Sequence, residues 1–158
     1  MSVREMMTRA VQICGPNDSL NTAARLMWEN DCGAIPVVDA EGKTVAMITD
    51  RDICMAAYTQ GLPLARMSVS SAATRAIITV REDESLEAAG ALMRKHRIRR
   101  IPVVDTNGKS VGIVSMNDLA HRAHTGHHRH DGLNADTIVR TLAAVCAPTA
   151  TSQAHAAE

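Results

Sequence analysis

Aromatic residues are almost missing from this chain of 158 residues, which has one Trp, one Tyr and no Phe. Apolar residues still make up 46% of the sequence, so a sizeable core has to be built from Val, Ile, Leu, Met and Ala. Net charge is also missing, because 17 basic residues balance 17 acidic ones. A general binder of nucleic acid or of a membrane surface needs a positive field, and we expect neither partner.

Paired cysteines and long apolar runs are absent too. Cys14, Cys32, Cys54 and Cys146 include no CxxC pair, and we predict that they are reduced thiols within a core. No apolar run approaches the length of a membrane span, and residues 1–10 lack the apolar stretch of a secretion signal. We therefore expect a cytoplasmic protein.

Motifs of common enzyme classes are also missing. The sequence has no G-x-G-x-x-G, G-x-S-x-G or H-E-x-x-H. The segments GKT at 42–44 and GKS at 108–110 resemble the end of a Walker A loop, which needs a glycine five residues before its Gly-Lys pair. Val37 and Val103 occupy those positions. We interpret both segments as hairpin turns and expect no enzymatic activity.

The sequence does contain an internal repeat. When the chain is aligned with itself without gaps, so that Met1 meets Met67, about a third of the positions in a window of nearly 60 are identical. MSV at 1–3 recurs at 67–69, and IPVVD at 35–39 recurs at 101–105. An unbroken register over this length indicates a tandem duplication, followed by an unrelated segment from about residue 124.

The sequence pattern of each copy predicts the element order β-α-β-β-α. Apolar residues at helical spacing predict a first helix from Leu20 and from Leu86, with Asp18 or Ser19 and Ser85 as N-caps. Gly61 is expected to end the second helix of the first copy. The other predicted elements are short strands at 11–13 and 77–80, hairpins at 34–49 and 100–115, and second helices at about 50–59 and 116–123.

A C-terminal helix follows the repeats. Its predicted apolar stripe consists of Ile138, Leu142 and Val145, with Asn134 or Asp136 as a cap. One helix of this length is unstable alone, so it should dock on the two repeats or across a dimer. The predicted organisation is 1–61 first repeat, 62–66 linker, 67–123 second repeat, 124–133 His-rich linker, 134–146 helix and 147–158 disordered tail.

This ordered set of motifs resembles the CBS domain family, and the tandem resembles a CBS pair, or Bateman module. The resemblance covers roughly residues 1–123. The matching segments are VREMMT at 3–8, IPVVD at 35–39 and 101–105, MITDRD at 47–52, and GIVSMND at 112–118.

The resemblance implies an α/β (α+β) fold, in which two tandem β-α-β-β-α CBS repeats pack with pseudo-twofold symmetry. It also implies a homodimeric, non-catalytic regulatory protein. Such modules bind adenosine-containing ligands, among them AMP, ADP, ATP, NAD and S-adenosylmethionine, and some bind cyclic dinucleotides. We expect one of these ligands in clefts between the repeats, and an effector protein that responds to it.

In each copy a hydroxyl residue ends the closing strand and an aspartate follows three positions later. The pairs are Thr49 with Asp52 and Ser115 with Asp118. The N–H groups of a helix N-terminus favour phosphate oxygens, and a carboxylate can accept hydrogen bonds from both hydroxyls of a ribose. The resemblance implies this ribose role for the aspartates. The same spacing is that of a capping box, and the two roles are compatible.

A basic segment, RKHRIRR at 94–100, occurs only in the second copy, since the first copy has Gly33 and Ala34 at the positions of Arg99 and Arg100. The resemblance assigns these positions to phosphate contacts, which suit the planar donors of arginine. The alternative is a solvated helix end. The candidates for phosphate or helix-terminus contacts are Thr49, Ser115, Arg51, Arg97, Arg99 and Arg100. This asymmetry predicts two clefts that differ in affinity or in preferred ligand.

Adenine would lie between aliphatic residues, because neither the single Trp nor the single Tyr is placed to stack on it. The candidates are Val11, Ile35, Pro36, Ile77, Ile101 and Pro102. All six are expected to be buried in the hydrophobic core, and a ligand contact would be an additional role.

The segment 121–132 holds five of the seven histidines. Imidazole ligands suit Zn, Ni or Cu, and the weak candidates are His124, His127, His128 and His130. A polar, pH-sensitive linker is the alternative. Two other functions thus stay open: metal sensing through this segment, and an adaptor whose ligand sites are vestigial.

Overall fold

The computed structural model describes residues 1–74, 76–125 and 135–147. Its helices and strands form a mixed α+β fold, as the sequence predicts. In chain order they are α1 Leu20–Glu29, β1 Ala34–Val38, β2 Thr44–Thr49, α2 Asp50–Gln60, β3 Val80–Arg81, α3 Leu86–His96, β4 Arg100–Val104, β5 Ser110–Ser115, α4 Met116–Thr125 and α5 Ala135–Cys146.

The strands form one small sheet in each repeat. β1 pairs antiparallel with β2, β4 pairs antiparallel with β5, and β3 lies parallel to β4. In the first repeat a single parallel bridge from Cys14 to Val37 replaces the β3 pairing. The predicted strand at 11–13 is therefore wrong, and the one at 77–80 is reduced to Val80–Arg81. Both segments have just crossed from the other repeat, so only their last residues reach their own sheet.

Local sequence signals set the helix boundaries. Ser19 and Ser85 each accept a hydrogen bond at 3.1 Å from the backbone N–H three residues later. Ser19 is thus the cap of α1, and Asp18 accepts a different bond, from the N–H of Gly15 at 2.7 Å. Gly61 ends α2 with φ 62°, in the left-handed region that the sequence predicts for it.

The N-terminal segment of each repeat packs on the other repeat. Val3 and Met7 are buried in the hydrophobic core of the second repeat, and Met67 and Val69 are buried in that of the first. The backbone N–H of Val3 donates to Glu84 O at 2.8 Å, and its counterpart Val69 donates to Asp18 O at the same distance. Neither core is complete without the segment that the other repeat supplies.

The two hairpins also meet. The N–H of Thr44 donates to Gly108 O at 3.1 Å, and the N–H of Ser110 donates to Gly42 O at 3.3 Å. Gly42 and Gly108 have φ values of 81° and 80°, which glycine adopts without strain. These reciprocal bonds relate the repeats by a pseudo-twofold axis at the hairpin tips.

Helix α5 docks on α3 and α4 of the second repeat. Val145 and Thr141 are buried, Ile138 is half-buried, and Leu142 is 48% exposed. The predicted stripe is therefore wrong at Leu142. Thr141 can be buried in its place because its hydroxyl donates to the Thr137 carbonyl and accepts from the Arg94 guanidinium, at 2.8 and 3.2 Å.

Several predicted features lie outside the described residues. They are linker residues 126–133 with His127, His128 and His130, the cap Asn134, and tail residues 148–158. Among the described helices, none is long and apolar enough to cross a membrane.

The four thiols are free but differ in burial. Cys14 is buried, Cys32 is half-buried, and Cys54 and Cys146 are exposed. The prediction of four core thiols is thus wrong for the last two, which lie on the outer surfaces of α2 and α5. Burial raises the pKa of the Cys14 thiol to about 11.

We predict that maleimide modifies Cys54 and Cys146 in the native protein at neutral pH while Cys14 stays unmodified. Only the thiolate reacts, and a raised pKa leaves little thiolate at Cys14. Mass spectrometry of tryptic peptides gives the modification at each site, with urea-unfolded protein as the control in which all four react. Modification of native Cys14 as fast as Cys54 would contradict this burial.

Gly112 on β5 allows the exchanged N-terminal segment to approach. A Cβ at this position would lie 2.7 Å from Thr8 O and 2.9 Å from the Met7 sulfur. We predict that Gly112→Ala lowers the melting temperature by several degrees, since overpacking costs about 1–3 kcal/mol.

Gly90→Ala is the matched control, because a Cβ at position 90 of α3 would meet Leu119 at an ordinary 3.7 Å. Alanine favours a helix interior by about 1 kcal/mol over glycine, so this variant should melt at the same or a higher temperature. Equal melting temperatures of Gly112→Ala and Gly90→Ala would mean that the N-terminal segment with Met7 and Thr8 does not pack against Gly112.

Candidate functional site

The N-terminus of the second helix in each repeat carries the predicted hydroxyl–aspartate pair. The backbone N–H and the hydroxyl of Thr49 donate to Asp52 Oδ2 at 2.9 and 2.7 Å. The same two groups of Ser115 donate to Asp118 Oδ2, both at 2.7 Å. The backbone N–H of each aspartate donates in return to the hydroxyl oxygen of its partner, at 3.2 Å for Asp52 and 3.4 Å for Asp118. The capping role that the sequence allows is thus present at both helices.

Capping leaves part of each carboxylate available. Both hydrogen bonds go to Oδ2, and Oδ1 of Asp52 and of Asp118 accepts none from the described residues. Both side chains are half-buried. A ligand hydroxyl can therefore reach Oδ1 without breaking the cap, so capping and ligand binding do not compete.

A cavity of about 390 Å³ lies between the repeats beside Asp118. The first repeat contributes Thr8, residues 10–12 and residues 30–34, and the second contributes Arg100, Ile113, Ser115 and Asp118. Small-molecule sites span about 300–1,000 Å³, so the volume suits a nucleoside or a mononucleotide. Two backbone hydrogen bonds join Thr8 to Ile113 of the other repeat at this cavity, at 2.9 and 3.0 Å.

The charges on the cavity wall are few and mixed. Asp31 and Asp118 supply two carboxylates, and Arg100 supplies one guanidinium. Asp31 and Ala10 have φ values of 48° and 53°, a left-handed conformation that costs a non-glycine residue about 1–2 kcal/mol. Such conformations concentrate at ligand sites, and two of them line this cavity.

Gly33 keeps the cavity open towards a neighbouring groove. A Cβ on Gly33 would lie 2.8 Å from Asp50 Oδ2 and 3.7 Å from Arg100 Nη2. The groove, of about 440 Å³, shares Arg100 and residues 31–33 with the cavity and extends to Trp28. The absence of a side chain at position 33 thus leaves room for the Asp50 carboxylate, whereas the Arg100 guanidinium lies at an ordinary contact distance.

The structure brings some of the predicted site residues together and leaves others apart. Val11, Arg100, Ser115 and Asp118 line the cavity, and Thr49, Arg51, Asp52 and Ile77 lie outside both spaces. The core positions Ile35, Pro36, Ile101 and Pro102 are buried within the strands β1 and β4.

The other predicted arginines have local structural contacts. Arg97 ends α3 in a left-handed conformation with φ 54°. The Arg99 guanidinium donates to Cys146 Sγ of α5 at 3.8 Å. Of the predicted phosphate contacts in the second repeat, only Arg100 and Ser115 therefore lie at this cavity.

Sequence reasoning missed several cavity residues, chiefly Thr8, Gln12, Asp31 and Cys32. The available signal was the repeat itself, because Asp31 holds the position in the first copy that Arg97 holds in the second. The loop after α1 is thus the counterpart of the basic segment, which makes Asp31 a candidate lining residue.

Metal ligands do not cluster in the part of the chain that the structure describes, where no group of three or more His, Cys, Asp or Glu could hold an ion. His124 is exposed near the end of α4. The other three candidate histidines lie outside the described residues.

Comparison with known proteins finds the CBS domain twice. The family model matches residues 3–58 and 69–124. The CBS domain-containing protein YhcV of Bacillus subtilis is 41% identical over 119 residues, which are 75% of this chain and 83% of YhcV.

Solved structures agree with the fold. The CBS domain pair of MJ0100, in complex with 5′-methylthioadenosine and S-adenosyl-L-methionine, has a TM-score of 0.70 and 29% identity, covering 77% of this chain and 94% of that one. PAE2072 from Pyrobaculum aerophilum, complexed with AMP, has a TM-score of 0.69 and 27% identity, covering 75% and 90%.

Hypoxic Response Protein I, with two coordinated zinc ions, has a TM-score of 0.70 and 30% identity, covering 77% of this chain and 98% of that one. The two family matches together span more than half of the sequence. This protein therefore belongs to the CBS domain family, as a tandem CBS pair.

Proposed function

We propose that this protein is a regulatory module that binds an adenosine-containing ligand in the cavity beside Asp118. The observation that carries the proposal is the free Oδ1 of Asp118 at a cavity of about 390 Å³ between the repeats. The complexes of MJ0100 with 5′-methylthioadenosine and S-adenosyl-L-methionine, and of PAE2072 with AMP, support the ligand class.

The lining residues suggest a role for each part of the ligand. Asp118 Oδ1 accepts hydrogen bonds from the ribose hydroxyls. Val11 and Ile113 provide apolar surface for the adenine ring, since both line the cavity. Arg100 faces the 5′ substituent, where its guanidinium can bind one phosphate.

The charges of the wall favour a ligand of low charge. One guanidinium faces two carboxylates, Asp31 and Asp118. A triphosphate would bring about four negative charges next to Asp31 and Asp118, and like charges at short range repel. We therefore propose AMP or an uncharged or cationic adenosyl compound, such as 5′-methylthioadenosine or S-adenosylmethionine, rather than ATP or ADP at this cavity.

The repeat predicts a second, more basic cleft at Asp52. In the alignment of the two copies, Arg97 takes the place of Asp31, Arg99 that of Gly33 and Asp52 that of Asp118. Arg51 and Thr49 would lie at the same helix terminus. This cleft would suit ligands with more phosphates, so the two clefts would differ in ligand preference.

Ligand binding becomes a signal only through differential affinity for two shapes of the module. We propose that the protein acts as a cytoplasmic homodimer in signal transduction, performs no catalysis, and passes its ligand state to an effector protein. The exchanged segments provide a route, because a ligand beside Thr8 and Asp118 contacts residues of both repeats at once.

Metal sensing is the weaker alternative. Hypoxic Response Protein I coordinates two zinc ions, but the described part of this chain has no group of three or more His, Cys, Asp or Glu that could hold an ion. An adaptor with vestigial sites is the other alternative, which the following variants distinguish from a sensor.

We predict that Asp118→Ala abolishes the stabilisation of the protein by the phosphate-free ligand 5′-methylthioadenosine. A ligand at a hundredfold excess over its dissociation constant adds about 2.7 kcal/mol, or roughly 5–10 °C in melting temperature. Thermal melting at increasing ligand concentration measures the shift.

Asp52→Ala is a matched control, since Asp52 makes the same two capping contacts at 2.9 and 2.7 Å. Each variant should lose about 0.5–2 kcal/mol of basal stability, while only Asp118→Ala loses the ligand response. An unchanged response in Asp118→Ala contradicts the site, and no response in the wild-type protein favours the adaptor.

We predict that Asp31→Asn strengthens the binding of ATP relative to 5′-methylthioadenosine. Asparagine tolerates the left-handed conformation of position 31, so the variant removes a negative charge and keeps the backbone. Isothermal titration should show ATP affinity rising several-fold while affinity for the uncharged ligand changes little. An equal change for both ligands would mean that charge does not select the ligand.

A further inference from the structure

Helix α5 occupies a place in the second repeat whose equivalent in the first repeat is the open groove beside Gly33. The α1 and α2 residues that line this groove include Met27, Trp28, Asp50 and Ile53. Their counterparts in the alignment of the two copies are Met93, Arg94, Met116 and Leu119 of α3 and α4. Because α5 packs on both of these helices, the groove is open in one repeat and filled in the other.

Apolar and polar contacts hold α5 in this place. Val145 lies in the same hydrophobic cluster as Met93, Met116 and Leu119. Thr141, the neighbouring buried residue of α5, accepts a hydrogen bond from the guanidinium of α3 that stands at the position of Trp28, at 3.2 Å. All four counterparts of the groove residues thus belong to the region that α5 covers.

The end of α5 also meets the basic segment. The Arg99 guanidinium donates at 3.8 Å to Sγ of Cys146, the last residue of α5. Arg99 is the counterpart of Gly33, which lines both the open groove and the cavity. The C-terminus of α5 therefore lies where the second cleft, at Asp52, would join the filled groove.

Electrostatics make this end of α5 sensitive to a phosphate. The last four carbonyls of a helix lack partners within the helix and carry partial negative charge, which a nearby cation stabilises. Arg99 is such a cation, and among the described residues Cys146 is the hydrogen-bond partner of its side chain. A phosphate forms shorter, charge-assisted bonds to a guanidinium than a thiol does, and it would bring like charge to the helix end. Phosphate and α5 therefore compete for Arg99.

From these contacts we propose that a phosphate-rich ligand in the second cleft loosens the C-terminal turns of α5 by drawing Arg99 away from Cys146. The inference rests on the proposed second cleft and adds a conformational output to it. Loosening uncovers Val145, an apolar residue that is 9% exposed when α5 is docked. An uncharged ligand in the cavity beside Asp118 should have no such effect, because the counterpart of Arg99 there is Gly33.

Hydrogen exchange of the full chain, followed by mass spectrometry, tests the proposal with ATP as the probe. Isothermal titration first gives the ATP concentration that saturates the protein. Saturation with ATP should then speed the exchange of backbone amides at 138–146 several-fold, whereas 5′-methylthioadenosine should leave it unchanged. Peptides from α1, the counterpart of α3, are the internal control, and their exchange should not rise with either ligand.

Two variants separate this coupling from a general loss of stability, because coupling between two sites is reciprocal. Val145→Ala removes an apolar contact of α5 and no cleft residue, so it should speed exchange of α5 and raise ATP affinity several-fold. Arg99→Gln should also speed exchange of α5, but it should lower ATP affinity about tenfold or more, since hydrogen bonds to charged groups are strong.

Val139→Ala is the matched control for Val145→Ala. It makes the same change on the same helix, but Val139 is 63% exposed and so contributes little to docking. This variant should match the wild type in exchange of α5 and in ATP affinity. All three variants should bind 5′-methylthioadenosine like the wild type.

The outcomes distinguish this inference from the proposed function. ATP that binds but leaves exchange at 138–146 unchanged or slower overturns the coupling and leaves the second cleft in place. An ATP affinity that falls in Val145→Ala as it does in Arg99→Gln also overturns the coupling. A wild-type protein that binds 5′-methylthioadenosine but no ATP overturns both the coupling and the second cleft, and leaves the cavity beside Asp118 as the ligand site.

Discussion

The reciprocal exchange of N-terminal segments is the constraint on which the rest of the structure depends. Val3 completes the core of the second repeat and Val69 completes that of the first, through backbone bonds of 2.8 Å to Glu84 and Asp18. A segment therefore passes between the repeats in each direction. The crossing residues 10–12 line the cavity beside Asp118, whose walls come from both repeats.

Duplication kept this backbone and changed the charges on it. Asp31 and Arg97 occupy equivalent positions with nearly the same left-handed φ, 48° and 54°, but with opposite charge. Gly33 leaves space where its counterpart Arg99 reaches α5. One architecture can thereby present two clefts with different ligand preferences. Among the described residues, helix α5 covers α3 and α4 of the second repeat.

Local patterns predicted the elements well, and relations between the copies poorly. Helices α1 and α3 begin where the sequence predicts, and α2, α4 and α5 lie within about two residues of their predicted bounds. The reason is that apolar spacing and caps such as Ser19, Ser85 and Gly61 are encoded next to the helices they limit. The exchange could not be predicted, because apolar residues such as Val3 and Val69 fit either core equally well. For the same reason the sequence did not indicate Asp31, which lines a cavity formed only with the other repeat. It also predicted Leu142 rather than Thr141 on the buried edge of α5.

A crystal structure with 5′-methylthioadenosine tests most directly whether the space between the repeats is the ligand site. The account predicts that the ribose hydroxyls contact Asp118 Oδ1, that the adenine lies between Val11 and Ile113, and that the cap between Ser115 and Asp118 is intact. Electron density for the ligand elsewhere on the protein, or contacts confined to one repeat, would contradict it.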